Sequence, residues 1–92
     1  MTKLIWKYQL PLKGETLDLP VGAEVLCVQA QRGAVCLWVM VSIHGNPTDG
    51  MREPRRFEVY GTGYEVRPDE NHQYVGTAQV GDFVWHVFEV KP

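Results

Sequence analysis

The chain is short of serine, cysteine and long apolar runs, and each shortage excludes something. Ser42 is the single serine in 92 residues, and it follows an apolar stretch with no glycine elbow around it. A Ser–His–Asp site is assembled in space, so spacing alone does not forbid one. No residue pattern here marks an activated nucleophile, however, and the expectation is a protein that is not an enzyme. Cys27 and Cys36 are the only cysteines, too few for a disulfide scaffold. On a hairpin over residues 24–43 they would share one sheet face, and free, buried thiols in a reducing compartment are expected. The longest apolar run, Ala34 to Val41, is far too short to span a bilayer. The N-terminus lacks the apolar core and cleavage site of a secretory signal, so a cytoplasmic location is expected. A net charge of −2 argues against duplex nucleic acid as a partner, since such binders are normally basic. Any anion site must be local.

What the chain does have is β pattern. It is 45% hydrophobic and 22% charged, a globular composition. Leu4, Trp6, Tyr8 and Leu10 alternate with Lys3, Lys7 and Gln9, Ile5 being the exception; that is the period of a half-buried strand, stopped by Pro11. After a turn at Lys13-Gly14, Leu17 and Leu19 point inward from a second short strand that ends at Pro20 and Gly22. A hairpin follows, with Leu26, Val28, Ala30, Val35, Leu37, Val39, Val41 and Ile43 on one face. Val25, Cys27, Gln29, Cys36, Trp38 and Met40 lie on the other. Strands apolar on both faces are central or form an interface, which makes Trp38, Met40 and Trp85 the candidate interface residues. His44 to Pro54 reads as a surface loop, with two Pro, two Gly, Asn and Asp. A strand through Phe57 and Val59 comes next, then a polar connection from Gly61 to Gln73, then a second hairpin of Gln73–Val80 and Asp82–Val90. No 3.6-residue period is sustained over three turns. The fold predicted is all-β: one domain over 1–92, a small antiparallel sandwich or barrel of six to seven strands with little or no helix. Small domains often gain stability by self-association, so a homo-oligomer is expected.

The candidate chemistry centres on Arg55–Gly63. Arg52, Arg55 and Arg56 lie just before or within a strand that ends in Tyr60, Gly61, Thr62 and Gly63. Guanidinium groups suit bidentate recognition of phosphate or carboxylate. Tyr60, Tyr64 and Trp38 offer stacking surfaces for a base, and the two glycines let backbone N–H groups approach an anion. The combination suits a small anionic, nucleotide-like ligand or the acidic surface of a protein. The plainer reading is a solvated basic loop beside a hairpin, with Tyr60 in ordinary cross-strand packing. His44, His72 and His86, with Asp49 and Asp69, are too scattered for a metal site, and no metal or other cofactor is expected. His86 and Glu89, three apart on one strand, face opposite ways.

The segments Ile5-Trp6-Lys7-Tyr8, Pro20–Leu26, Gln31-Arg32-Gly33, Cys36-Leu37-Trp38, Arg56–Gly63 and Trp85–Glu89, in this order, resemble an uncharacterised family of small phage and prophage proteins across nearly the whole chain. That resemblance carries no activity or site residues. It implies an accessory protein acting in a bacterial host cell by binding. The expected function is therefore a non-enzymatic antagonist of host defence that sequesters a nucleotide-like signal through Arg52, Arg55, Arg56, Tyr60, Gly61, Thr62 and Gly63. Two alternatives stand beside it: a protein–protein inhibitor of an immune effector, working through an apolar surface around Trp38 and Trp85, and a structural or accessory component of the phage.

Overall fold

Alternation of apolar and polar residues produces seven antiparallel strands in a computed structural model that describes residues 2–43, 50–67 and 70–92. In chain order they are β1 (Thr2–Leu10), β2 (Glu15–Pro20), β3 (Glu24–Gln31), β4 (Ala34–Ile43), β5 (Arg52–Gly61), β6 (Asn71–Val80) and β7 (Phe83–Lys91). They form a three-stranded sheet of order β1-β4-β3 and a four-stranded sheet of order β2-β5-β7-β6. Two sheets facing each other make a sandwich, not a closed barrel.

Turn chemistry explains the connections. Arg32 and Gly33 both have positive φ, 51° and 76°, the requirement of a two-residue type I′ hairpin loop between β3 and β4. Gly81, at φ 59°, begins the corresponding turn between β6 and β7. Between β1 and β2 the chain crosses from one sheet to the other. Gly14 sits there at φ 83°, and a Cβ on it would lie 2.7 Å from the Phe57 carbonyl oxygen. Backbone conformation and space both demand glycine at that crossing.

The core fills the gap between the sheets. Val35, Leu37, Val39 and Val41 from β4 face Leu17, Leu19, Phe57, Val59 and Val87 from the second sheet, and all of these are buried. Trp6, Tyr8, Val25 and Trp85 pack around this centre. On one side the sandwich is pinched. A Cβ on Gly76 of β6 would approach Val28 Cβ of β3 to 3.0 Å, so glycine is what lets the two edge strands come together.

Three expectations need correction. Leu26 belongs to no core face: β3 bulges between Val25 and Cys27, which turns Leu26 outward, 42% exposed, and brings Val25 inward in its place. Leu4 is also exposed, because burial along β1 fades away from Leu10. The third concerns the loop of residues 44–54. Residues 44–49 lie outside those described, but Arg52, Glu53 and Pro54 are strand, paired with Pro20, Leu19 and Asp18 of β2. The β5–β7 ladder begins at Arg56, so Pro54 interrupts no bond on that side.

Candidate functional site

Strand parity decides where the arginines go. In β5, Arg55 shares the inner face with Phe57 and Val59, while Arg56, Glu58 and Tyr60 point outward. Parity therefore takes Arg55 away from the other two, while Arg52 shares the parity of Arg56 but stands four residues before it, at the start of β5. Arg55 lies between the sheets. Its Nε and Nη2 donate to the Glu89 carboxylate at 2.7 and 2.8 Å, and its Nη1 donates to the Ala23 carbonyl. Both partners are largely buried, with side chains 15% and 7% exposed. Burial pushes the Glu89 carboxyl upward, but the hydrogen bonds and charge of Arg55, with help from Lys91, outweigh this and leave it below its ordinary value. The Glu89 hydrogen bonds likewise hold Arg55 more firmly protonated. Arg55 is thus a structural cation, already neutralised. Arg52 instead donates to the Asp18 carbonyl at 3.2 Å, and its charge reaches Tyr8, whose phenol burial raises above the usual value.

The glycines also serve packing and turn geometry. Gly61 is buried beneath aromatic rings: a Cβ there would meet Trp85 Cζ3 at 3.2 Å and Tyr64 at 3.5 Å. Gly63 has φ 89°, in a turn where the Tyr64 N–H donates to the Gly61 carbonyl. Trp85 packs against the core, edge-on to Tyr64, whereas Trp38 and Met40 are half-buried on the outer face of the three-stranded sheet. The proposed apolar surface around Trp38 and Trp85 does not exist as one patch, since the two residues belong to different sheets and different faces.

The structure brings a different set together on the outer face of the four-stranded sheet. Cross-strand register places Glu58 beside Phe88 and Tyr74, and Tyr60 beside His86 and Thr77. The rings of Tyr60, His72 and Tyr74 each meet Phe88 edge-on, with centroids 5.6–5.9 Å apart. Such tilted contacts match the edge-to-face preference of aromatic rings. Tyr74 remains 59% exposed.

Hydrogen bonds tie these side chains to one another. His72 Nδ1 contacts the Glu70 carbonyl at 3.0 Å, which makes it the donor, so its Nε2 accepts from the Tyr60 hydroxyl at 2.9 Å. His86 lies between two threonine hydroxyls, Thr62 at Nε2 (2.9 Å) and Thr77 at Nδ1 (3.1 Å). Thr77 continues the chain to the Tyr74 hydroxyl at 2.5 Å. Neither ring nitrogen of His86 meets a carboxylate in this network. The acidic contact of His72 is Glu70, 3.8 Å from Nε2, on the same nitrogen that Tyr60 occupies. That is not the arrangement of a relay, which needs the carboxylate and the proton acceptor on opposite nitrogens. Ser42 is exposed on the other sheet, and His44, Asp49 and Asp69 lie outside the described residues.

Charge at the rim of this face is layered. Glu58 is 5% exposed although it points outward, because Arg56 covers it through Nε and Nη2 and Arg67 approaches to 3.9 Å. Arg67 also pairs with Glu70 at 3.3 Å, which together with Glu58 strengthens its protonation. The guanidinium side chains are 44% and 58% exposed, their carboxylates 7% and 27%. The cations are outermost.

With this geometry in hand, comparison with known proteins adds a family. Over residues 1–92 the chain matches the domain of unknown function DUF7352. It belongs to that family. No curated protein and no solved structure matches it. DUF7352 carries no functional description, so the residues must argue for themselves. Of those singled out in the sequence, Arg56, Tyr60 and Thr62 contribute to the outer face, while Arg52, Arg55, Gly61 and Gly63 do not. Glu58, Arg67, His72, Tyr74, Thr77, His86 and Phe88 were missed. Alternation in the last hairpin puts His86 and Phe88 on one face, but Tyr74 and Thr77 join them only because β6 bulges between Tyr74 and Gly76.

Proposed function

We propose that this protein is a binding module whose outer four-stranded face takes a small, planar, anionic ligand of the nucleotide class. The observation that carries this reading is the aromatic cluster of Tyr60, His72, Tyr74 and Phe88 on the solvent side of the sheet. A core explains aromatic rings that point inward; these point away from it, and their hydroxyl and imidazole groups are tied to one another. A base stacks on such a platform without reorganising it, and Arg56 and Arg67 at its rim supply charge for a phosphate. Balanced charge beneath the arginines fits a small ligand better than a long polyanion, which demands a basic surface.

The role proposed is binding, in which these residues position the ligand. In the phage-type setting that the sequence resemblance implies, holding a signalling nucleotide would withdraw it from a host response and so antagonise defence. Titration calorimetry with a panel of cyclic and linear nucleotides tests the reading. Binding of at least one member, weakened tenfold or more in Tyr74→Ala by loss of base stacking of about 1–3 kcal/mol, is the expected result. Folded protein that gives no heat with any of them overturns it.

A further inference from the structure

The rim of the aromatic face carries no surplus charge. Two cations, Arg56 and Arg67, stand over two carboxylates, Glu58 and Glu70, and the four charges cancel. Donors are taken up as well. The Nε and Nη2 fork of Arg56, the edge shaped for parallel hydrogen bonds to an oxyanion, is turned onto Glu58 Oε1. Arg67 gives Nη1 to Glu70 Oε1 at 3.3 Å. Both guanidinium groups remain about half-exposed above their carboxylates, and each keeps N–H groups that these bonds do not use. A phosphate set on this rim therefore meets the positive ends of two ion pairs, not two free cations.

Charge on the ligand decides how well such a rim can hold it. The attraction of an anion to a neutral set of ion pairs grows in proportion to the anion's charge. The cost of removing its water grows with the square of that charge, and an anion that the protein does not fully neutralise is expensive to desolvate. A phosphomonoester carries about two negative charges near neutral pH, which doubles the attraction and quadruples the cost. A phosphodiester carries one. We propose, resting on the reading of this face as a nucleotide site, that its ligand is a phosphodiester of a nucleoside, and that monoesters and polyphosphates are discriminated against. The same chemistry is offered by a cyclic nucleotide and by a short oligonucleotide. Glu58 and Glu70 are then the specificity-determining residues, because their carboxylates turn two arginines from a site for a dianion into a site for a monoanion.

Titration calorimetry of the full chain at about pH 8, where a monoester is fully ionised, separates charge from shape. For each base the probes are the nucleoside 5′-monophosphate, its O-methyl ester, the 3′,5′-cyclic monophosphate and the dinucleoside monophosphate. The first two differ by one charge and a methyl group. For a base that binds, the methyl ester is expected to bind about tenfold more tightly than the monophosphate. The cyclic and dinucleoside forms should share that advantage, and the tighter of the two identifies the source of the diester. Glu70→Gln and, separately, Glu58→Gln remove a negative charge from beneath an arginine and should narrow the gap about threefold or more. Glu70 Oε2 accepts no hydrogen bond, so an amide at that position breaks none, and circular dichroism verifies the β fold of both variants. A monophosphate that binds as tightly as its ester overturns the inference and leaves the nucleotide reading in place. So does a gap that neither substitution narrows in folded protein. Failure of every monoester and diester to bind overturns both.

Discussion

Arg55 and Arg56 are adjacent in sequence and opposite in role. Arg55 points between the sheets, where Glu89 and the Ala23 carbonyl take up its donors. Arg56 points outward and lies over Glu58 at the rim of an aromatic face. One residue along a strand reverses the side, and the side determines whether a charge serves folding or recognition. The same division runs through the whole four-stranded sheet. Its inner face holds Leu17, Phe57, Val59 and Val87 for the core, and its outer face holds Tyr60, His72, Tyr74, His86 and Phe88.

The largest effect expected is at the inner arginine. Arg55→Ala leaves the buried Glu89 carboxylate with Lys91 at 3.4 Å as its remaining cation and should cost about 2–4 kcal/mol, read from the denaturant midpoint. Replacing both partners by apolar residues, as Arg55→Met with Glu89→Leu, should recover much of that loss, since the one charge left without its partner, Lys91, is solvent-accessible. Gly14→Ala tests the crossing between the faces. Its positive φ and the 2.7 Å approach to the Phe57 carbonyl should cost about 1–3 kcal/mol, since the Glu58 carboxylate nearby can swing aside but the backbone carbonyl cannot.

Acid sharpens the comparison without substitution. Glu89 is depressed in the folded state, so its contribution to stability is present above the unfolded carboxyl value and declines as pH falls through the folded one. Denaturation followed from pH 6 downward should therefore show a loss of stability below roughly pH 4.5, and the Arg55→Met/Glu89→Leu variant should lose less over the same range. At the outer arginine the effect shrinks. Arg56→Ala should cost about 1 kcal/mol or less in stability, because Arg56 is half-exposed and Arg67 still faces Glu58. Tyr74→Ala should be smallest, within about 0.5 kcal/mol in thermal stability, while it removes the ligand platform. A large stability loss at Tyr74 would break the contrast between the faces.

Much of this was legible in the strands. The alternation of Phe57 and Val59 with Arg56, Glu58 and Tyr60 sets Tyr60 opposite the core, and the same parity, applied one residue earlier, puts Arg55 inside. Proximity in sequence suggests an arginine cluster; the period of two takes Arg55 out of it. Glu89, 34 residues from Arg55, could not be paired with it from sequence, because strand order sets which inward charges meet. Tyr74 and Thr77 were hidden for a different reason. They differ in parity, and only a bulge between Tyr74 and Gly76 brings them to one face.

Local chemistry therefore determined the strands, their turns and the all-β class, since alternation and turn residues act over a few neighbours and need no partner. Tertiary structure decided which strands lie side by side, where the bulges fall, and hence which face each charged or aromatic side chain shares with others. Arg55 became part of the scaffold and Tyr60 part of a surface because backbone pairing across long separations, unlike alternation within a strand, is set by the packing of the whole chain.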